Sequence, residues 1–233
     1  MISRSNYYQQ FEHNGRSVSI TFAQGADDLA NVKKIDDLVF GCHHGVTMTE
    51  LEELLENGFI LMMHDLSNGR LIGETQILFN QIPELPHRFE IGESYCYGIG
   101  IVPDYQGQGL GKRLAMEQER LSLLMDASTM RMTVRVENYP SLRLMLRLGH
   151  HIYGYSPDFY GPNDIDARLL LEKNLHSHQV LNDEMFVHQN GEVLVPVGFG
   201  EIHDHVAHKH ISNLISEGYK GIWINHSGIF FGK

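Results

Sequence analysis

The spacing of apolar and polar residues alternates between the period of a strand and that of a helix along most of the chain. Apolar residues dominate three short runs, at 18–23, 59–65 and 70–79, which predicts strands. Ser-Asn-Gly at 67–69 predicts that the last two of these strands form a hairpin. Residues 27–40 place their apolar members at helical spacing behind an acidic start, which predicts a helix.

A short second helix is predicted from Thr49, with Glu52 three residues later and Asn57-Gly58 at its end. The same criteria predict further strands and helices: strands at 94–102, 131–137, 151–155 and 167–175, and helices at 110–125 and 140–148. Strands thus alternate with helices, which favours an α/β (α+β) fold with a mixed sheet covered by helices.

The pattern changes near residue 178, and we predict a domain of residues 1–177 followed by a small α+β extension of residues 178–233. The extension contains three predicted elements: a hairpin at 185–197 around Asn190-Gly191, a helix at 201–217 and an extended stretch at 221–231. A segment of this size is marginal for a core of its own, so we expect it to dock on the first domain or on a second copy.

Composition narrows the classes of function. The chain has 233 residues and a formal net charge of -11, which repels a phosphate backbone and argues against nucleic acid as a partner. No apolar run approaches the ~20 residues of a membrane span, and the first eleven residues lack the apolar core of a signal peptide. We therefore expect a cytoplasmic protein with no membrane partner.

Metal and disulfide chemistry are not indicated by the sequence. Cys42 and Cys96 lie far apart with no C-x-x-C pair. Histidines cluster at 203–210, but they match no specific metal spacing and no H-E-x-x-H occurs, so we expect solvated histidines and no metal.

The glycine-rich stretch GIGIVPDYQGQGLGKRL, residues 98–114, is the strongest chemical signal. It is one residue too short for a Walker A loop, and Arg113 stands where that loop needs a hydroxyl residue. It also lacks the third glycine of a dinucleotide fingerprint at the required spacing. Gly107, Gly109 and Gly111 instead expose successive amides that lead into a helix start near Leu110. Such a helix start binds anions, and a diphosphate suits it.

Residues Gln106 to Gly111 match the Q/R-x-x-G-x-G/A signature of the GNAT N-acetyltransferases. RMTVRVENYPSLRLMLRLGHHIYGY, residues 131–155, resembles the fifth strand, fourth helix and sixth strand of that family, with Asn138 at its usual place after the strand. The order of elements from 18 to about 177 also resembles the family. The resemblance implies a GNAT-like, mostly antiparallel central sheet flanked by helices.

The resemblance implies acetyl-CoA as cosubstrate, and the backbone of Ile99 to Ile101 pairing with its pantetheine arm. Gly98 and Gly100 leave one face of this strand bare, which makes sense if a chain-like molecule lies close. The N–H of Ile99 would then face the thioester carbonyl as the oxyanion donor. The implied cofactor-binding residues are Ile99, Gly100, Ile101, Gln106, Gly107, Gln108, Gly109, Leu110, Gly111, Lys112 and Asn138.

Many family members use a glutamate of this strand as general base. Tyr95 occupies the aligned position here, but Glu93 lies two residues earlier and on the same face, so Glu93 is our first candidate. Glu74 on the preceding strand is the second candidate.

The family's usual proton donor to the leaving thiolate is a tyrosine seven residues after the asparagine, and Met145 stands there in this chain. Tyr160 is the first candidate to replace that acid, ahead of Tyr153 and Tyr155. Cys96, beside the strand glycines, either takes an acyl group or fills space as a small apolar residue.

These observations predict an acyltransferase that moves an acetyl group from acetyl-CoA to a primary amine by direct attack in a ternary complex. The acidic net charge favours a cationic acceptor such as a polyamine, a lysine or an N-terminal amine. The alternative is a non-catalytic acyl-CoA sensor. For the extension, composition leaves three roles open: a cap over the substrate cleft, a homodimer contact, or recognition of a partner.

Overall fold

The computed structural model describes residues 8–41, 45–83, 85–86, 88–161, 167–176, 192–197 and 205–233. The chain forms two compact units, Met1–Ser128 and Thr129–Lys233. The predicted hairpin around Asn190-Gly191 and the first residues of the helix predicted at 201–217 lie outside the described residues.

The described residues of the first unit form five strands and three helices, and a 3-10 turn at Pro103–Tyr105. In chain order they are β1 (Tyr8–His13), β2 (Arg16–Phe22), α1 (Ala26–Phe40), α2 (Met48–Asn57), β3 (Gly58–Asp65), β4 (Arg70–Leu78), β5 (Glu93–Ile101) and α3 (Leu110–Leu124). The strands lie in the order β1-β2-β3-β4-β5, and each neighbouring pair is antiparallel.

Both faces of this sheet are covered, because alternate residues of β3 enter different apolar clusters. Leu61 and Met63 pack with the apolar residues of α3, whereas Ile60 and Met62 pack with those of α1 and α2. Successive side chains of a strand point to opposite faces. Helix α3 therefore covers one face, and α1 and α2 cover the other.

The first strand and the start of α2 differ from the sequence predictions. Strand β1 was missed; it pairs with β2 through Asn14 and Gly15, which both have positive φ, and an Asn-Gly pair between strands is a strong hairpin signal. Helix α2 begins two residues earlier than predicted. Thr47, not Thr49, is its cap, because Thr47 and Glu50 bond reciprocally in a capping box.

The part of the second unit that the structure describes contains six strands and two helices. In chain order they are β6 (Thr129–Arg135), α4 (Tyr139–Arg147), β7 (His151–Ser156), β8 (Arg168–Asn174), β9 (Val193–Val195), α5 (His205–Ser216), β10 (Lys220–Asn225) and β11 (Gly228–Gly232). The strands lie in the order β6-β8-β7-β10-β11-β9, again with antiparallel neighbours.

The C-terminal strands join this sheet at β7. Gly221 of β10 lies opposite Ile152 of β7, and a Cβ at Gly221 would come within 2.5 Å of the Ile152 side chain. The single extended stretch predicted at 221–231 is wrong, since it forms two strands, β10 and β11, around a turn at 226–227. The domain boundary near 177 stays a prediction. Within the described residues, the helices are too short or too polar to cross a membrane.

Candidate active site

Strand β5 contains a bulge that its sequence does not announce. Gln76 of β4 lies opposite Gly98, while the next residue, Ile77, lies opposite Cys96. Tyr97 is therefore the extra residue on β5. A bulge bends its strand and changes the direction of the groups beside it. Residues 98–101 therefore run at an angle to the part of β5 that precedes the bulge.

Alternate backbone amides of β5 point to opposite edges of the strand. Val102 donates its N–H to the Ile72 carbonyl of β4 at 3.0 Å, so the amide of Gly100 points towards β4 as well. The N–H groups of Ile99 and Ile101 consequently point to the edge that faces away from β4. An amide that donates to a thioester oxygen cannot also be bonded to β4. The Ile99 N–H points away from β4 and therefore meets this requirement.

The two glycines of β5 make room for side chains of β4. A Cβ at Gly98 would lie 2.4 Å from Oε1 of Gln76, and a Cβ at Gly100 would lie 2.6 Å from Oε1 of Glu74. The sequence-based interpretation, that these glycines bare the strand for a chain-like ligand, is therefore wrong for this face. Here the space is filled by the carboxyl of Glu74 and the amide of Gln76.

Glu74 is 0% exposed and lies directly opposite Gly100. Its Oε2 accepts a short hydrogen bond from Nε2 of Gln76, and its Oε1 has no hydrogen-bond partner among the described residues. Burial first, and then the nearby Asp36 carboxylate, raise the pKa of Glu74 well above its ordinary value, while the bond from Gln76 acts in the opposite direction. A carboxyl with a raised pKa is suited to accept a proton near neutral pH.

Helix α1 supplies the groups that cover Glu74. Asp36 is buried, its Oδ2 accepts the Val46 N–H at 2.7 Å, and burial raises its pKa to about 6 against the effects of that bond and of Lys33. The ring of Phe40 lies 3.6 Å from the position of a Cβ at Gly100. Two carboxyl groups with raised pKa values thus lie on the α1 side of the sheet.

On the α3 side, Gln118 binds the strands at the bulge. Its Nε2 donates to Oγ1 of Thr75, to the Gln76 carbonyl at 3.2 Å and to Sγ of Cys96 at 3.2 Å. Burial raises the pKa of the Cys96 thiol to about 12 although the bond from Gln118 lowers it. A thiol that stays protonated is a poor nucleophile, which favours the interpretation of Cys96 as a small buried residue.

The glycine loop has the backbone geometry that only glycine adopts readily. Gly107 and Gly109 have φ of 72° and 86°, and Gly109 is the residue at which α3 begins. Leu110 and Leu114 anchor the helix start in the core. The first amides of α3 have no partners within the helix, and the exposed Lys112 adds positive charge beside them. This is the arrangement that binds phosphate groups.

Side-chain hydrogen bonds fix the shape of this loop from both ends. Gln106 donates its Nε2–H to the Ile101 carbonyl at 2.8 Å, and Gln108 donates to the Asp104 carbonyl at 3.1 Å. His13, in the missed strand β1, donates its Nε2–H to the Gln108 carbonyl at 2.6 Å. The two glutamine side chains thus hold the loop, and its backbone remains the binding surface.

Glu93 lies far from the segment that carries Ile99. Its Oε2 accepts the Glu90 N–H at 2.8 Å, so the carboxylate closes the turn that leads into β5. Six residues of extended strand separate Glu93 from Ile99, roughly 20 Å at about 3.3 Å per residue. A base and an oxyanion donor of one reaction have to lie within hydrogen-bond reach of the same few atoms, or one water away. Geometry therefore favours Glu74 over Glu93.

The remaining candidates belong to the second unit. Asn138 caps α4, its Oδ1 accepting the Ser141 N–H at 3.2 Å. Tyr160 is 56% exposed, and the Arg168 guanidinium lies 5.2 Å above its ring. Met145 is buried in the core of this unit. Asn138 is thus a helix cap in the structure, and its contact with the cosubstrate stays a prediction.

The histidine cluster forms no metal site within the described residues, where no group of three potential ligands comes together. His205 and His210 are exposed on α5, whereas His208 is buried and bonds to Glu137. The prediction of solvated histidines is therefore wrong for His208.

Comparison with known proteins identifies the family of this chain. The model of the Acetyltransferase (GNAT) family matches residues 31–150, just over half of the chain. A protein of Bacillus subtilis (strain 168) named "Putative ribosomal protein bS18-alanine N-acetyltransferase" is 28% identical over 118 residues, which are 51% of this chain and 72% of that protein.

Solved structures show the same fold. The ribosomal-protein-S18-alanine N-acetyltransferase of Escherichia coli aligns with a TM-score of 0.56 and 15% identity, over 73% of this chain and 99% of its own. A Bacillus subtilis acetyltransferase solved in complex with CoA aligns with a TM-score of 0.51 and 16% identity, over 66% of this chain and 97% of its own. The GNAT-like, mostly antiparallel sheet flanked by helices is thereby confirmed.

Proposed function

Because this chain belongs to the Acetyltransferase (GNAT) family, and is an acetyltransferase that uses acetyl-CoA, we propose that it acetylates a primary amine by direct attack in a ternary complex. The main observation behind the proposal is that one continuous segment of the chain contains both the proposed oxyanion donor and the proposed diphosphate site. The outward amide of Ile99 and the helix start at Leu110 stand at the two ends of one short segment, residues 99–110, with the glycine loop between them.

The loop from Gln106 to Lys112 takes the diphosphate of acetyl-CoA, because its amides and the positive end of α3 favour an anion. The backbone of residues 99–101 pairs with the pantetheine arm. In this arrangement the Ile99 N–H donates to the thioester oxygen, where negative charge develops during attack. Asn138 contributes a further polar contact to the cosubstrate.

Glu74 is the base in this proposal. The amine nitrogen attacks the thioester carbon, a C–N bond forms and the C–S bond breaks, and Glu74 accepts the proton that the nitrogen loses. The CoA thiolate leaves and takes a proton, for which Tyr160 stays our candidate donor. The raised pKa of Glu74 supports its role, since a base works best with a pKa near the working pH.

We propose a cationic or N-terminal amine as the acceptor. Asp36, Glu74 and Glu50 all lie on the side of β4 and β5 that α1 and α2 cover, and Glu50 accepts a hydrogen bond from the Tyr97 hydroxyl at 3.0 Å. The Glu50 carboxylate attracts an ammonium group, and Asp36 and Glu74 add to this attraction where they are ionised. Two of the similar proteins are named as alanine N-acetyltransferases of a ribosomal protein, which makes peptide α-amines the first class to test.

The test is release of free CoA thiol from acetyl-CoA with a panel of polyamines, lysine peptides and peptides with a free N-terminal alanine. We expect turnover with at least one class, and its loss when Glu74→Gln is introduced. Turnover that survives Glu74→Gln but is lost in Glu93→Gln would reverse the assignment of the base.

One observation favours a second function, a non-catalytic acyl-CoA sensor. Met145 stands where many relatives have the proton-donating tyrosine, and it is buried. The panel separates the two functions: tight binding of acetyl-CoA without turnover on any amine would support the sensor.

A further inference from the structure

The turn between β6 and α4 carries Asn138, flanked by Glu137 and Tyr139. The turn is tight and is closed by two backbone hydrogen bonds. The Asn138 N–H donates to the Arg135 carbonyl at 3.1 Å, and the Tyr139 N–H donates to the Glu137 carbonyl at 2.9 Å. Asn138 itself is exposed, and its side chain caps α4. The position of Asn138 therefore depends on what holds the residues on either side of it.

His208 of α5 holds the residue before Asn138. Its Nε2 lies 2.8 Å from Oε1 of Glu137, and both side chains are largely buried. The Tyr155 ring packs edge-on against the imidazole, with ring centroids 5.7 Å apart. A hydrogen bond to a carboxylate that water reaches poorly is among the stronger kinds.

His226 holds the residue after Asn138. This histidine lies in the turn between β10 and β11, and its ring stacks on that of Tyr139 with centroids 4.8 Å apart and an interplanar angle of 27°. Helix α4, which begins at Tyr139, also packs against β10. The two neighbours of Asn138 are thus each held by a histidine from the C-terminal 30 residues, through two contacts of different chemistry.

We propose that His208 and His226 are positioning residues that hold Asn138 in the place from which it contacts acetyl-CoA. The inference rests on the proposed function, in which Asn138 contacts the cosubstrate. This role of the extension differs from the three that composition left open. Neither histidine touches the reacting atoms; each acts through the turn.

The main test is the dissociation constant of CoA measured by calorimetry for His208→Leu, His208→Gln and His226→Ala. His208→Leu removes the donor to Glu137, and we expect its Kd to rise about fivefold to tenfold, as loss of a buried hydrogen bond to a carboxylate allows. His208→Gln keeps a donor and should recover most of that loss. His226 is exposed, so His226→Ala should not impair folding. We expect this substitution to raise the Kd of CoA about twofold to threefold.

Controls separate positioning from general damage. His210→Leu alters an exposed histidine of the same helix and should bind CoA as the unaltered protein does. In the positioning variants, KM for acetyl-CoA should rise while kcat at saturating acetyl-CoA stays within about twofold, because the reacting groups are unaltered. Amide hydrogen exchange at Asn138, Tyr139 and Ser141 should quicken in His208→Leu but not in His210→Leu.

The outcomes distinguish this inference from the proposed function. If the unaltered protein does not bind CoA, the proposed function fails and this inference with it. If the unaltered protein binds CoA while His208→Leu and His226→Ala bind equally well, the inference alone is overturned. Faster exchange with an unchanged Kd also overturns it, because the histidines would then hold the turn without serving the site.

Discussion

Two pairs of glycines lie a few residues apart in this chain and do different physical work. Gly107 and Gly109 have positive φ, and their missing side chains would meet open space or, at Gly109, only a distant ring of His13 at 3.8 Å. Gly98 and Gly100 lie in extended strand, where a side chain would collide with Gln76 and Glu74.

Glycine thus has two different uses in this chain: it permits a backbone conformation in the loop, and it leaves room for a neighbouring side chain in the strand. In the loop, glycine provides a conformation, and the amides it exposes form the binding surface. In the strand, glycine provides a cavity that a buried carboxyl fills, beside the amide that we propose as oxyanion donor. The loop prepares cosubstrate binding and the strand prepares chemistry, so variants of the two should fail differently.

The largest effect should come from the group that the strand glycines accommodate. Glu74→Gln keeps the shape of the side chain but removes the base, and we expect kcat to fall about 10²- to 10³-fold with little change in the Kd of CoA. In the unaltered protein the rate should rise with pH, because burial holds the proton on Glu74 to higher pH than usual and only the ionised carboxylate accepts a proton.

In Glu74→Gln, by contrast, kcat should not increase with pH. The measurement is a pH profile of kcat for both proteins, with Glu93→Gln as the matched carboxyl variant. An unchanged kcat in Glu74→Gln would remove Glu74 from the mechanism.

Substitutions in the glycine loop should weaken the binding of CoA. Gly109→Asp introduces a side chain at positive φ and a negative charge where the diphosphate is proposed to bind, so we expect the Kd of CoA to rise by about 100-fold or more. Gly69→Asp is the matched control, since Gly69 also has positive φ and open space but lies in the turn between β3 and β4. Calorimetry on both variants isolates the effect of place from that of backbone strain.

Gly100→Ala tests the strand glycine directly. A methyl group there displaces the Glu74 carboxyl, and since modest misplacement of a reacting group slows a reaction, we expect kcat to fall about tenfold. The Kd of CoA should stay within about twofold, and the melting temperature should fall, because the buried Glu74 carboxyl has to move to make room for the methyl group. A large rise in Kd with an unaltered kcat would mean that this glycine serves the ligand after all.

The smallest effect is expected for Asp36, the second buried carboxyl of the strand site. Its pKa is raised to about 6, so the folded protein binds more protons than the unfolded chain between pH 4 and 6, and stability falls as pH rises through that range. Asp36→Asn removes this loss and can still accept the Val46 N–H. We expect it to be about 1–2 kcal/mol more stable above pH 6.

Chemical unfolding at pH 4 and pH 7 measures this difference, with Asp37→Asn as the control on the same helix. Equal gains at both pH values would mean that the charge of Asp36 is not the cause.

The sequence predicted the loop better than the strand, and the reason is locality. Gln106 to Lys112 are neighbours in the chain, so their spacing alone indicates the backbone they form. The meeting of Glu74 with Gly100 depends on the register between β4 and β5, which residues far from either glycine determine. The bulge at Tyr97 shifts that register by one residue, and nothing in the local sequence indicates a bulge.

The same limit applies elsewhere. The hairpin at 67–69 was predicted from three adjacent residues and is confirmed. His13 was missed, and with it its bond to Gln108, because the strand that carries it is short and polar and its Asn-Gly turn was overlooked. The contact of His208 with Glu137 joins residues 71 positions apart, and no periodicity reports such a pair.

Calorimetric titration of the unaltered protein with CoA, and of Gly109→Asp beside it, tests the central claim most directly. The claim is that the amides from Gln106 to Lys112 bind the diphosphate. We expect saturable one-to-one binding to the unaltered protein and at least a 100-fold weaker interaction with the variant. Equal binding by both proteins, or no heat of binding to the unaltered protein, would contradict it.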